Sequence, residues 1–227
     1  MNKLTLFLIS LLACTFLPSC LTIEESYKFN KNGSGWMQYK ISTDDLAQMM
    51  EKFSSFEQSL TDETEDRKFD PEKLSMRNLV PGLEKIEGLS AINLIDEPEN
   101  NMYGLNFKFK SLNALNKAMN HILNKEGSPA FTYFSMDDNV IRRSHKMSKN
   151  RIGGDFLEKA EDSDKIGPIL SRMKYDIKYN FKQEIRVAYS EAQTTIMGKK
   201  SKDLHVESNL RAILENEGFI NTSIVFK

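Results

Sequence analysis

The sequence predicts an α+β fold, mainly antiparallel sheet with helices packed on one face. Three stretches carry that expectation. "SYKFNKNGSGWMQYKIS" alternates apolar and polar residues on both sides of a glycine-containing turn. Residues 80–123 run helix, strand, strand, helix, the order of a ferredoxin-like α-β-β-α unit. "KYDIKYNFKQEIRVA" sets Tyr175, Ile177, Tyr179 and Phe181 on one side and Lys178 and Lys182 on the other, as one long strand does.

Taken in order, the first hairpin turns at "NKNGSG", where glycine and asparagine supply the positive φ a tight turn needs. Met37, Tyr39 and Ile41 alternate with Trp36, Gln38 and Lys40. "STDDLAQMMEKFSSFEQSL" reads as a helix capped by Ser42 or Thr43, with Leu46, Met49, Met50, Phe53 and Phe56 on one stripe. Residues 61–73 are charged and nearly free of apolar side chains, which reads as a solvated loop. "VPGLEKIEG" is a short helix with Pro81 near its start and Gly88 at its end. "LSAINLID" and "MYGLNFKFK" are strands joined by "EPENN", with Leu105, Phe107 and Phe109 inward. "SLNALNKAMNHIL" is a helix capped by Ser111. A second hairpin turns at Asp137–Asn139, and residues 148–164 read as a polar loop. A short helix in "IGPILSRM", three short strands and one helical turn or two complete the chain, with "SIVFK" in the sheet.

The 227 residues hold 31 basic and 32 acidic side chains, a net charge of −1. That balance excludes the strong basic excess of a nucleic-acid-binding domain. Forty per cent of residues are hydrophobic, enough to build a core without disulfides. The chain has two cysteines, Cys14 and Cys20, both near its start.

Lys3 precedes an apolar run from Leu4 to Leu17, the pattern of a secretory signal. The run is shorter than the ~20 apolar residues needed to span a bilayer. It ends in "LPSC", which resembles the lipobox of bacterial lipoproteins. "LLAC", ending at Cys14, fits more loosely and would leave an apolar run near the minimum length, so Cys20 is the expected attachment residue. The resemblance implies cleavage before Cys20, a diacylglycerol on its sulfur and an acyl chain such as palmitate on its amine. Two chains on one residue suffice for stable anchoring. The expected organisation is a signal peptide over 1–19, a tether over 20–25 and the domain over 26–227, with a candidate subdomain boundary near 148–165.

Motifs for chemistry are sparse. His121, His145 and His205 stand in no metal-ligand spacing. Neither G-x-S-x-G nor a phosphate-binding glycine loop occurs. "DSDKIG" begins like a calcium loop, but Ile166 and Met173 occupy ligand positions. The adjacent pairs Asp44/Asp45 and Asp137/Asp138 suit a helix start and a turn better than a glycosidase cleft. Lys108, Lys110, Lys178, Lys182 and Arg186 all fall on outward strand positions. If their strands are neighbours, one sheet face is basic and fits an anionic cell-wall polymer or lipopolysaccharide.

"YKFNKNGSGWMQYKIS", "LAQMMEKF", "LVPGLEKIEGLSAINL", "GLNFKFKSLNALNKAMN" and "IKYNFKQEIR" together resemble an uncharacterised class of envelope lipoproteins from Bacteroidota. The resemblance implies an outer-membrane location and acylation of Cys20, and no catalytic residue. Glu24 and Glu25 fall slightly late for a surface-export signal, so the face of the membrane stays open. The expectation is a lipid-anchored, non-catalytic binding or interaction module with no cofactor beyond its lipid. It would take an envelope protein or anionic envelope polymer as partner, and no nucleic acid. Two alternatives stand beside it. One is a lipid or small-ligand carrier with a cavity behind the Met49/Met50/Phe53 helix. The other is an envelope enzyme that gathers histidines and carboxylates in a deep pocket.

Overall fold

The computed structural model describes residues 21–43, 75–124, 127–145, 167–196, 201–216 and 218–227. The expected signal peptide, Cys20, the expected methionine-rich helix from residue 44 onward, the charged stretch 61–73 and the expected loop over 148–164 lie outside the described residues.

The strands are β1 (Thr22–Phe29), β2 (Gly35–Ser42), β3 (Leu89–Glu97), β4 (Met102–Phe109), β5 (Phe134–Asp137), β6 (Val140–Arg143), β7 (Lys174–Phe181), β8 (Ile185–Tyr189), β9 (Gln193–Ile196), β10 (Asp203–Asn209) and β11 (Thr222–Phe226). The helices are α1 (Val80–Glu84), α2 (Leu112–Leu123), α3 (Gly167–Leu170) and α4 (Leu210–Glu215). The larger sheet has the order β3-β4-β2-β1-β7-β10-β9, and the smaller β5-β6-β11-β8. Pairing is antiparallel throughout except between β1 and β7. The α+β class and the α1-β3-β4-α2 order are as the sequence predicts.

The inner face of the larger sheet is built by alternation. Ile23, Tyr27 and Phe29, then Met37, Tyr39 and Ile41, Leu105, Phe107 and Phe109, and Tyr175, Ile177, Tyr179 and Phe181 are all buried. Helix α2 lays Leu115, Ala118, Met119 and Ile122 on that face. The smaller sheet packs on the same side. Phe134 of β5 sits edge-on to Tyr27 at 4.9 Å, and Phe226 of β11 edge-on to Phe181 at 5.0 Å. The helices therefore share their side of the larger sheet with a second sheet.

Ser111 caps α2, its Oγ accepting from Ala114 N at 3.2 Å. The helix then carries Asn116, Asn120 and Asn124 at four-residue spacing on one stripe. Asn116 exchanges two hydrogen bonds with the Phe134 backbone, at 2.7 and 2.8 Å. Asn120 does the same with Phe131, both at 2.7 Å. Asn124 accepts from the Tyr133 hydroxyl at 2.8 Å. The chain entering β5 is thus held by side-chain amides that stand in for a neighbouring strand.

Three sequence expectations change. The tether over 20–25 is replaced by strand from Thr22. The Leu21 carbonyl already accepts from Lys174 N at 2.9 Å, and Glu25 is fully buried. The long strand over 174–188 is two strands in different sheets, breaking at Lys182–Glu184. Phe181 and Ile185 are both buried and have the same parity, so the alternation passes through the corner unbroken. A subdomain boundary near 148–165 does not divide the fold. Strands from either side of it pair in both sheets, β1 with β7 and β6 with β11.

Candidate functional site

Two groups of polar side chains stand out, one inside the fold and one on the outer face of the larger sheet. The inner group centres on Glu25, which projects from β1 into the core. Its Oε2 accepts from Arg143 Nη2 at 2.7 Å and from the Tyr27 hydroxyl at 2.6 Å, and its Oε1 accepts from the Tyr175 hydroxyl. Arg143 reaches inward from the end of β6 and is itself buried. It also donates to His145 Nδ1 at 3.2 Å, because a guanidinium has only donors. That contact fixes His145 as the tautomer protonated at Nε2.

Electrostatics follow from this burial. Desolvation works against the Arg143 charge, but Glu25 and the surrounding tyrosines hold its pKa well above the usual value. Burial, reinforced by the Arg143 charge, pushes His145 well below the ordinary imidazole range. Burial and the Glu25 charge push Tyr27 and Tyr175 well up. The Tyr39 hydroxyl and His145 Nε2 have no hydrogen-bond partner among the described residues. Glu25, Arg143, His145, Tyr27 and Tyr175 are each no more than 4% exposed. The group joins the two sheets internally.

The outer face is ordered by strand register into rows running across the sheet. One row is Lys108, Trp36, Lys28, Asn180 and Asp203, read from β4 through β2, β1 and β7 to β10. The next is Asn106, Gln38, Ser26, Lys178 and His205. The third is Gly104, Lys40, Glu24, Asp176 and Glu207. Lys28 Nζ lies 5.0 Å over the Trp36 ring. Ser26, Lys28, Trp36, Lys178, Asn180 and His205 border a shallow trough of about 250 Å³.

The third row puts three carboxylates side by side. Glu24 is compensated by Lys178 and by Lys40 at 3.9 Å. Burial alone would raise its pKa, but the Lys178 hydrogen bond and the two ammonium charges hold it below the usual value. Asp176 and Glu207 face each other across β7 and β10 with His205 beside them. His205 Nε2 is 3.7 Å from Asp176 Oδ1, and its Nδ1 is 3.8 Å from Glu207 Oε1. Burial raises the Asp176 pKa, with His205 opposing and Glu207 adding to the rise. One ligand atom from each of the three lies within 4.8 Å of the other two.

The expected basic face is not assembled. Strands β4 and β7 are separated by β2 and β1, so Lys108 and Lys178 share a face without being neighbours, and Glu24, Asp176, Asp203 and Glu207 lie among them. Lys110 and Lys182 follow the ends of their strands, and Arg186 belongs to the smaller sheet. The three histidines do not meet. His121 is bound through Nε2 to the Leu79 carbonyl oxygen at 3.0 Å, His145 is in the core and His205 is on the outer face. Sequence reasoning missed Glu25 as a core residue and missed the pairing of Asp176 with Glu207. Equal spacing from Lys178 and His205, which are paired, would have found the second once the register was known.

No known protein family matches the chain, and no curated protein matches it. Among solved structures, the folded domain of the Mycobacterium tuberculosis protein LppM, determined by NMR, aligns over 93% of this chain and 90% of its own, with 9% identity and a TM-score of 0.41. Likeness at that level says nothing about what this chain does. Among the described residues, no helix is long and apolar enough to cross a membrane.

Proposed function

We propose that this chain is a lipid-anchored domain of a bacterial envelope that binds a partner protein across the outer face of its larger sheet. The observation that carries the reading is the place where the fold begins. Leu21 is buried and hydrogen-bonded to β7, one residue after the cysteine of "LPSC". A diacylated Cys20 would then hold the first strand of the sheet directly at the bilayer surface, with no flexible spacer.

The outer face supports a protein partner over an anionic polymer. It carries both signs, Lys28, Lys40, Lys108 and Lys178 with Glu24, Asp176, Asp203 and Glu207, which favours a complementary mixed surface. Trp36, flanked by Lys28 and Lys108, is the type of side chain that anchors protein interfaces. The inner polar group supports a structural role, since it is enclosed by the core.

The test is photo-crosslinking in cells from a probe residue placed at Gln38, on the outer face, and at Arg186, on the smaller sheet. The reading expects a discrete protein adduct from position 38 that position 186 does not give. Identical adduct patterns from both positions, or polysaccharide adducts from position 38, would overturn it.

A further inference from the structure

The structure assigns a divalent transition-metal site to Asp176, His205 and Glu207. The assignment stands on these three side chains and is independent of the anchoring and partner binding proposed above. Register places Asp176 and Glu207 directly opposite each other on β7 and β10, and His205 projects from the same face two residues before Glu207. Like charges opposite each other across an antiparallel pair destabilise a sheet. Glu24 continues the same row but has Lys40 and Lys178. Asp176 and Glu207 have no side-chain hydrogen bond among the described residues, and their close ion-pair contacts are to His205 alone. His205 Nε2 is enclosed and has no hydrogen-bond partner among the described residues, although its side chain is 18% exposed. Two carboxylates whose close ion-pair contacts are to one imidazole thus flank a ring whose Nε2 makes no hydrogen bond among the described residues.

The ligand atoms lie within 4.8 Å of one another. A metal bound at ~2.0–2.2 Å from each would draw them to roughly 3.0–3.5 Å apart. The Glu207 side chain, 46% exposed, has room to make that adjustment by rotation. One imidazole nitrogen with two carboxylates suits Zn²⁺ or a similar first-row ion, whereas Ca²⁺ and Mg²⁺ prefer all-oxygen sets. The site opens to solvent, so water completes the coordination. Two adjacent strands supply all three ligands and hold their backbone positions without the metal.

The test is calorimetric titration of Zn²⁺ into the full chain, purified in detergent without a polyhistidine tag, with the melting temperature followed in parallel. The expected result is one ion per chain and a raised melting temperature. His205→Ala and Glu207→Gln should each weaken binding by about tenfold or more and abolish the thermal shift, while His121→Gln leaves both unchanged. Glu207 is the more exposed residue, so Glu207→Gln decides the matter if His205→Ala fails to fold. Absence of binding with Zn²⁺ in large excess, undiminished binding in Glu207→Gln, or equal binding of Ca²⁺ would each overturn the assignment.

Discussion

Glu25 and Arg143 form a fully buried ion pair, with Oε2 and Nη2 2.7 Å apart, that ties the first strand of the larger sheet to the smaller sheet. They are 118 residues apart in the chain. Every strong hydrogen bond to Glu25 comes from a group that is itself buried. The pair therefore cannot exchange its partners for water.

That enclosure predicts an asymmetry between single and double substitution. Glu25→Gln leaves the Arg143 charge buried without a counter-ion and should destabilise by about 3–5 kcal/mol, as should Arg143→Met. Glu25→Leu with Arg143→Met removes both charges and should cost clearly less than the sum of the singles. Urea unfolding of the four proteins checks this. Additive losses would show that the pair is not coupled.

The tyrosines around Glu25 separate in the same way. Tyr175→Phe removes a hydrogen bond to a buried carboxylate and should cost roughly 1.5–3 kcal/mol. Tyr39→Phe removes a buried hydroxyl without a partner among the described residues and should be neutral or stabilising. Reversal of that order in denaturant melts would contradict the hydrogen-bond assignment.

His145 gives the fold an acid dependence. Its folded pKa lies well below its unfolded value, so below about pH 6.5 the unfolded chain binds a proton that the folded chain does not. The stability contribution is complete above that pH and falls by about 1.4 kcal/mol per unit as pH drops toward the folded pKa. The groups facing His145 are the Arg143 guanidinium at 3.2 Å and the Tyr175 ring at 5.6 Å between centroids. His145→Asn should remove this slope from the pH profile of unfolding. On the alkaline side the sign is opposite. Tyr27 and Tyr175 are raised, so stability should decline once pH exceeds the unfolded tyrosine value of about 10.

The amide stripe on α2 predicts a local effect. Asn120→Ala leaves the Phe131 N–H and carbonyl without their partners and should cost about 2 kcal/mol or more. Exchange of the Phe131 amide hydrogen should accelerate beyond what global destabilisation explains. Lys117→Ala, on the same helix, should leave that rate unchanged.

Much of this architecture is legible in the sequence because alternation and capping are local. Gly33, at φ 76°, turns the first hairpin, and Asp138, at φ 46°, turns the second. The sequence could not reveal that Glu25 points inward, because a charged residue in an alternating run reads as a strand boundary. Leu21, Ile23, Tyr27 and Phe29 keep the parity that places it in the core. The Asp176–Glu207 pairing was hidden for a different reason. It depends on β10 lying beside β7, and no local pattern sets strand order. The same ignorance of order left open whether five basic residues on outward strand positions share one surface.

We propose that Cys20 carries the anchor and that the folded sheet follows it without a spacer. Mass spectrometry of the mature N-terminal peptide from the membrane fraction tests it most directly. The account predicts a peptide beginning at Cys20 with a diacylglyceryl group on its sulfur, and loss of both the modification and the membrane association in Cys20→Ala. An unmodified Cys20, or a mature terminus at Cys14, would contradict it.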